Sequence, residues 1–338
     1  MIATTYIQQG HCTRKVLSIL GLSASSFYHF PVAISTKKAK GIKPSTTTLT
    51  HQGEEVDNSV IVADIKTLLA QEFVDYGYLK VYHYLKESHA INHKKVYRLM
   101  KCNKLLFATK QVKAGTKQWV KELVPQPDVA FSYWEFDIKF MYVTGLGIYI
   151  PLLSVIDVKT RWLLGHLYQQ SIKKEDVKIL MEALITTYTI PQKITVRCDN
   201  GSQFESNLIR EYFKSKGVEQ EFTKPATPEQ NAHIESYHSI LERVICRQYL
   251  FETAADQLDT LNRWAMFYNY QRIHSGTSFK SPYKALLKEG IDVNEIFIKE
   301  ETKNERIFIA LNEKELGTAE VQPTRDNLTD RNKQNATK

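Results

Sequence analysis

Arg197-Cys198-Asp199-Asn200-Gly201-Ser202-Gln203-Phe204 is the stretch on which the fold turns. The residues before Asp199, Ile194 to Cys198, read as a buried strand, and Asp199-Asn200-Gly201 breaks it. A carboxylate at a strand end beside a glycine turn is well sited to hold a metal ion at a sheet edge. Oxygen ligands are the ones Mg²⁺ and Mn²⁺ prefer. An ordinary Asp-Asn-Gly turn fits the same eight residues, so this stretch alone leaves both readings open.

Two further acids bear on the choice. Upstream, Trp134-Glu135-Phe136-Asp137-Ile138-Lys139-Phe140 reads as a strand with Asp137 in its middle. A carboxylate within such an apolar run is costly to bury without a partner. Downstream, Ile234, Tyr237, Leu241, Val244 and Ile245 recur at helical spacing, and Glu235 lies off that stripe. Thirty-five residues separate Asp199 from Glu235. Two strands and one helix would then bring three carboxylates together. That layout suits a site in which two metal ions hold the attacking and leaving oxygens of a phosphoryl transfer.

Asp137, Asp199 and Glu235 at this spacing resemble the DDE triad of the retroviral-integrase superfamily, and within it the OrfB-type transposases of bacterial insertion sequences. The resemblance runs from about residue 10 to about residue 290. It is carried by WEFDIKF (134–140), DNGSQF (199–204), PATPEQNAHIES (225–236) and HSGTSFKSPYKAL (274–286). It implies an α/β chain with a ribonuclease-H-like core, a mixed five-stranded sheet with flanking helices, behind small all-α helix-turn-helix modules. It implies that the three acids are catalytic and hold Mg²⁺ or Mn²⁺, two ions per site. The implied activity is 3′-end cleavage and strand transfer, with element ends and target DNA as double-stranded partners. A homo-oligomer on DNA and a product of an upstream frame are the protein partners it implies. A nuclease of the same fold and a silent DNA-binding regulator are the alternatives.

The rest of the chain fits this frame. Its 338 residues allow about two domains, and a net charge of +8 favours a polyanionic partner. The four cysteines are scattered without a CxxC pair, which excludes a zinc finger or a disulfide framework. No apolar run approaches a membrane span, so a cytoplasmic, nucleoid-associated protein is expected. Residues 1–30 read as helix, turn, helix, with Gly21 as the stop and Ser23 as a cap; a plain helical hairpin fits them equally. Residues 31–58 read as a linker. Residues 59–106 read as a three-helix DNA-binding module whose last helix is capped by Asn92 and carries Lys94, Lys95, Arg98 and Lys101. Residues 107–128 form a basic connector, 129–250 the core, 251–295 a helical extension, and 300–338 a polar tail expected to be disordered. The first 125 residues are expected to bind DNA without the core. Residues 224–233 (KPATPEQNAH), just before Glu235, read as a mobile flap. Asp157 reads as a strand-end residue and not a ligand.

Three positions depart from the family pattern. Lys139 stands two residues after Asp137, where threonine is usual, and Ser239 and Glu242 stand where lysines are frequent on the Glu235 helix. Lys139 shares the strand face of Asp137. It would therefore contact the scissile phosphate, the favoured role, or compete with the metal for Asp137. Arg243 is a substitute for the missing lysines. Asn200 and Gln203, in the turn of Asp199, join Lys139 and Arg243 as the expected DNA contacts of the core. The flap is worded more like retroviral integrases, yet their N-terminal zinc module is missing.

Overall fold

The computed structural model describes residues 2–28, 44–107, 124–188, 193–224, 228–293 and 307–309. Two compact units are present, Met1–Thr46 and Thr47–Lys338. The first contains α1 (Ile2–Gln8), α2 (Thr13–Ile19) and the single-turn α3 (Ala24–Phe27). Gly21, in the left-handed conformation at φ +63°, ends α2, and Ser23 caps α3 by accepting from Ser26 N at 3.0 Å. Ala3, Val16 and Leu17 form its small core.

The second unit begins earlier than the expected linker would allow. Thr47–Thr50 and Glu55–Asp57 are strands β1 and β2. They pair antiparallel with each other, and β1 pairs with β3 (His89–Ala90). These segments are short and polar, so their pairing carries no apolar period. Helices α4 (Asn58–Ala70), α5 (Tyr78–Leu85) and α6 (His93–Cys102) follow, with Asn92 accepting from Lys95 N at 2.9 Å as the expected cap. The lysines of the basic connector at 110, 113, 117 and 121 lie outside the described residues.

The core sheet runs in the order β8 (Val218–Phe222), β7 (Ile194–Cys198), β4 (Tyr133–Val143), β5 (Ile148–Asp157), β6 (Leu163–Tyr168) and β9 (Ile307–Ile309). The β4–β5–β6 meander is antiparallel, while β4–β7 and β7–β8 are parallel. This is the mixed five-stranded, ribonuclease-H-like arrangement expected, with a sixth strand added. Residues 307–309, placed by sequence in a disordered tail, pair antiparallel with β6. Helices α7 (Lys174–Thr187) and α8 (Asn207–Ser215) cover one face around Trp134, Phe136, Leu180 and Phe213. Helices α9 (Ala232–Leu241) and α10 (Ala254–Met266) cover the other, and α11 (Pro282–Lys288) follows. Both α9 and α10 continue into π-helical turns, Glu242–Cys246 and Phe267–Gln271. Among the described residues no helix is long and apolar enough to cross a membrane.

The α4–α6 module does not stand apart from the core. Ile61, Ile65, Val81, Val96 and Met100 belong to one continuous cluster with Met141, Ile150, Tyr237, Leu241 and Trp264. Phe73 packs edge-on against Trp264 at 5.5 Å between ring centroids. Beside it, Asp75 receives Arg272 at 2.6 Å on one oxygen and Arg243 at 2.6 Å on the other. The division at about residue 106 therefore marks a change of secondary structure and not the end of a hydrophobic core.

Candidate active site

Parallel pairing sets Tyr133 against Thr195, Trp134 against Val196 and Glu135 against Arg197. Continued two residues further, the same register brings Asp137 level with Asp199, just past the end of β7. Burial raises the Asp199 pKa, the Gly201 N–H donating at 3.0 Å opposes the rise, and the charge of Asp137 adds to it. The backbone passes close to side chains at Gly201: a Cβ there would meet Gln203 Nε2 at 2.7 Å and Asp199 Oδ1 at 3.0 Å, so a larger residue would press on both. Asn200 is spent on the fold, donating to the Thr223 carbonyl at 2.9 Å. Asp137 is half-buried, accepts from Ile138 N at 2.8 Å, and lies 3.3 Å from His238 Nδ1.

His238 belongs to α9, one turn after Glu235. Ile234, Tyr237 and Leu241 bury one side of this helix, as the periodicity required, and Glu235 is exposed. Among the described residues, no group of three or more His, Cys, Asp or Glu side chains stands close enough to hold an ion. The sheet thus brings Asp137 and Asp199 together, and α9, which carries Glu235, meets Asp137 through His238. The donor set suits a hard cation: the charge of Asp137 bears on Asp199, and a divalent ion between the two carboxylates would offset that repulsion.

The other predicted residues are placed as follows. Lys139 forms an ion pair with Glu242 at 2.9 Å, so two of the three departures from the family pattern contact each other. This pair, along with nearby Cys246 and Arg247, holds the Glu242 carboxyl below its usual range. Arg243 points away from the acids, to Asp75. On α6, Lys94 and Lys101 are exposed and Arg98 is half-exposed, whereas Lys95 donates to the Thr47 carbonyl of β1. Of the flap, residues 225–227 lie outside the described residues. Its end, the 3₁₀ turn Pro228–Asn231, is held by Arg197 Nη1 donating to the Gln230 carbonyl at 2.9 Å. Asp157 is structural, as read: fully buried, it accepts from Phe131 N, Thr160 N and Thr160 Oγ1 at 2.6–2.9 Å.

Sequence reasoning passed over Glu135. Its side chain is fully buried, and Oε2 accepts from His233 N and Ile234 N, both at 2.9 Å. Burial pushes its carboxyl up to about 7 against the opposing pull of those N–H groups and of Arg197. The available signal was an acid two residues before Asp137, on the same strand face.

Comparison with known proteins agrees with this layout. Residues 128–228 and 216–282 match two models of the integrase core domain, and residues 55–113 match an HTH-like domain. The last match falls on the α4–α6 module and not on residues 1–30. An uncharacterized 39.2 kDa protein of insertion element IS476 from Xanthomonas euvesicatoria is 26% identical over 263 residues, 78% of this chain and 68% of that one. A 31.7 kDa protein of insertion element IS407 from Burkholderia multivorans is 24% identical over 254 residues, 74% of this chain and 90% of that one. The transposase for insertion sequence element IS904 of Lactococcus lactis is 30% identical over 90 residues, 26% of this chain and 36% of that one. The chain thus carries an HTH-like domain followed by an integrase core domain, and along about three-quarters of its length it is similar to proteins of insertion elements.

Proposed function

We propose that this chain binds the ends of an insertion element and catalyses 3′-end cleavage and strand transfer, with Asp137, Asp199 and Glu235 as the catalytic acids. The observation that carries the proposal is the register of β4 and β7, which sets Asp137 beside Asp199 under the helix that bears Glu235. These three residues would hold Mg²⁺ or Mn²⁺, two ions in the full site. Bound ions supply positive charge to the attacking and leaving oxygens of the transferred phosphoryl group.

The chain's own residues position and exclude. Gly201 N–H and the Asn200–Thr223 bond fix the turn that aims Asp199. His238 and Ile138 N–H hold Asp137 in place. Water and then a DNA 3′-hydroxyl serve as nucleophiles, so no side chain needs to form a covalent bond with DNA. Lys94 and Lys101, exposed on α6, are suited to duplex phosphates, and phosphate contacts make such binding steeply salt-dependent. DNA would assemble copies of the chain into a homo-oligomer with both ends held.

The test is joining of linear element-end DNA to a plasmid in Mg²⁺, followed on gels, with binding measured separately. Asp137→Asn, Asp199→Asn and Glu235→Gln should each abolish cleavage and joining while DNA binding persists. Near-normal joining by any one variant removes that residue from the site. Cleavage by the wild type without joining would indicate the nuclease reading. Binding with neither activity would indicate a regulator.

A further inference from the structure

Glu135 and Arg197 form a pair that the proposed chemistry does not use. Each stands two residues before an aspartate of the site, Glu135 before Asp137 on β4 and Arg197 before Asp199 on β7. They are direct cross-strand neighbours. Both reach the start of the helix that carries Glu235. Glu135 Oε2 accepts the His233 and Ile234 N–H groups of its first turn. Arg197 Nη1 donates to the carbonyl of Gln230, the residue before Asn231. The helix needs this help from outside, because its own N-cap residue, Asn231, makes no side-chain capping bond. Uncapped N–H groups at a buried helix start carry a penalty, and a carboxylate there also complements the positive end of the helix dipole.

The pair is itself held. Arg197 Nη2 and Nε reach Glu221 Oε2 at 2.8 and 3.1 Å, and Tyr133 donates to the same oxygen. The guanidinium fork thus spans from β8 to the helix start. A lysine, with a single point of contact, cannot hold both partners in this geometry.

We propose that Glu135 and Arg197 are positioning residues, a clamp that sets where Glu235 stands relative to Asp137 and Asp199. The clamp ties the third carboxylate to the same two strands that carry the other two. Any twist of β4 against β7 then moves all three together. This rests on the metal-binding function proposed above for the acids.

Two measurements test it, one of which needs neither metal nor activity. Hydrogen exchange of the amides of residues 231–238 is followed in metal-free protein. The Mg²⁺ concentration for half-maximal joining is measured separately from the rate at saturation. Replacing outer partners of metal ligands typically weakens metal affinity by about 10–100-fold. Glu135→Ala should therefore speed exchange at His233 and Ile234 and raise the Mg²⁺ requirement by about tenfold or more, with a much smaller loss at saturating Mg²⁺. Glu135→Gln keeps a carbonyl acceptor for both N–H groups and should recover most of both properties. Arg197→Lys provides a second route if Glu135→Ala fails to fold, with the same direction and a smaller size. Unchanged exchange at His233 and Ile234 in Glu135→Ala or Arg197→Lys overturns the clamp. So does faster exchange with an unchanged Mg²⁺ requirement, which would leave the pair a merely structural role. A wild-type protein that never joins DNA would instead overturn the proposed function, while the metal-free exchange still decides whether the helix start is held by this pair.

Discussion

Asp75→Asn should destabilise the second unit by about 3 kcal/mol, a large effect for a single isosteric change. The magnitude follows from where the partners lie. Arg272 is fully buried, its Nη2 bonds Asp75 Oδ1 at 2.6 Å, and its Nε and Nη1 have no hydrogen-bond partner among the described residues. Removing the charge from Asp75 leaves a buried guanidinium uncompensated, which costs about 3–5 kcal/mol where a buried pair is broken. Stacking of the guanidinium on Trp264, 5.4 Å from the ring centroid, survives and keeps the loss near the lower end of that range. Arg243, on the other oxygen, is 52% exposed and adds little. The assay is urea unfolding followed by circular dichroism, with melting as a cross-check. At ~2–4 °C per kcal/mol for a domain of this order, the midpoint should fall by roughly 6–12 °C. The control is Glu242→Gln, whose carboxylate is 38% exposed and whose loss should cost less than about 1 kcal/mol. Asp75→Leu combined with Arg272→Met replaces the pair by apolar side chains and should recover much of the loss. If Asp75→Asn matched the control, Arg272 would be hydrated or otherwise paired in solution, and the reasoning would be refuted.

Lys80 is half-buried beside the same cluster, and burial, then the Arg272 charge, lowers its pKa to about 7. Its folded pKa lies below the ordinary lysine value, so the unfolded chain binds more protons between the two. Stability should rise from about pH 7 to about pH 10, and Lys80→Met should flatten that rise in urea titrations; an identical slope in the variant refutes it. A fragment ending at residue 125 should self-associate in sedimentation experiments, because Phe73 and its neighbours lose Trp264, Phe267 and Tyr249; a folded, monodisperse fragment would restore the expectation that these residues act without the core. Lys139→Thr should lower joining at saturating Mg²⁺, and adding Glu242→Lys should restore it; a gain of activity at low Mg²⁺ by Lys139→Thr alone would mark the lysine as an obstacle.

The core was legible because its elements announce themselves locally. Strands β4 to β7 are largely apolar runs ended by turns, β8 is a short segment set off by the Gly217 turn, and α7 to α10 keep helical spacing, so each could be placed without knowing its neighbours. The aspartates were legible through their turn and their strand. Strands β1 and β2 were not, because they are short and polar; β9 was not, because three apolar residues are too few to show a period and are placed only by pairing with β6, far back in the chain. The union of the HTH-like module with the core was hidden for a related reason. Asp75 and Arg272 are nearly two hundred residues apart, and neither has a local pattern that names the other. Glu135 was overlooked because an acid beside a candidate ligand reads as one more polar position. The two N–H groups it receives come from a helix about a hundred residues downstream.

Lys139 and Glu242 show how the same blindness distorts a judgement about activity. Taken singly, each is a departure that argues for an impaired copy: a lysine near a metal-binding aspartate, and an acid on the helix face expected to meet DNA. In the structure they neutralise each other at 2.9 Å. Glu242 therefore draws Lys139 away from Asp137, which is bound by His238 and Ile138 N–H instead. With side chains 19% and 38% exposed, the pair is worth about 1 kcal/mol or less. Approaching duplex DNA brings phosphates that outnumber the single carboxylate, so a bond this weak yields readily. Lys139 is thus kept off Asp137 in the free chain and, under the proposed function, would be available to phosphate in the bound one. The two substitutions are consistent with one exchange of charge across β4 and the end of α9, and their joint presence argues for an intact site more than either argues against it.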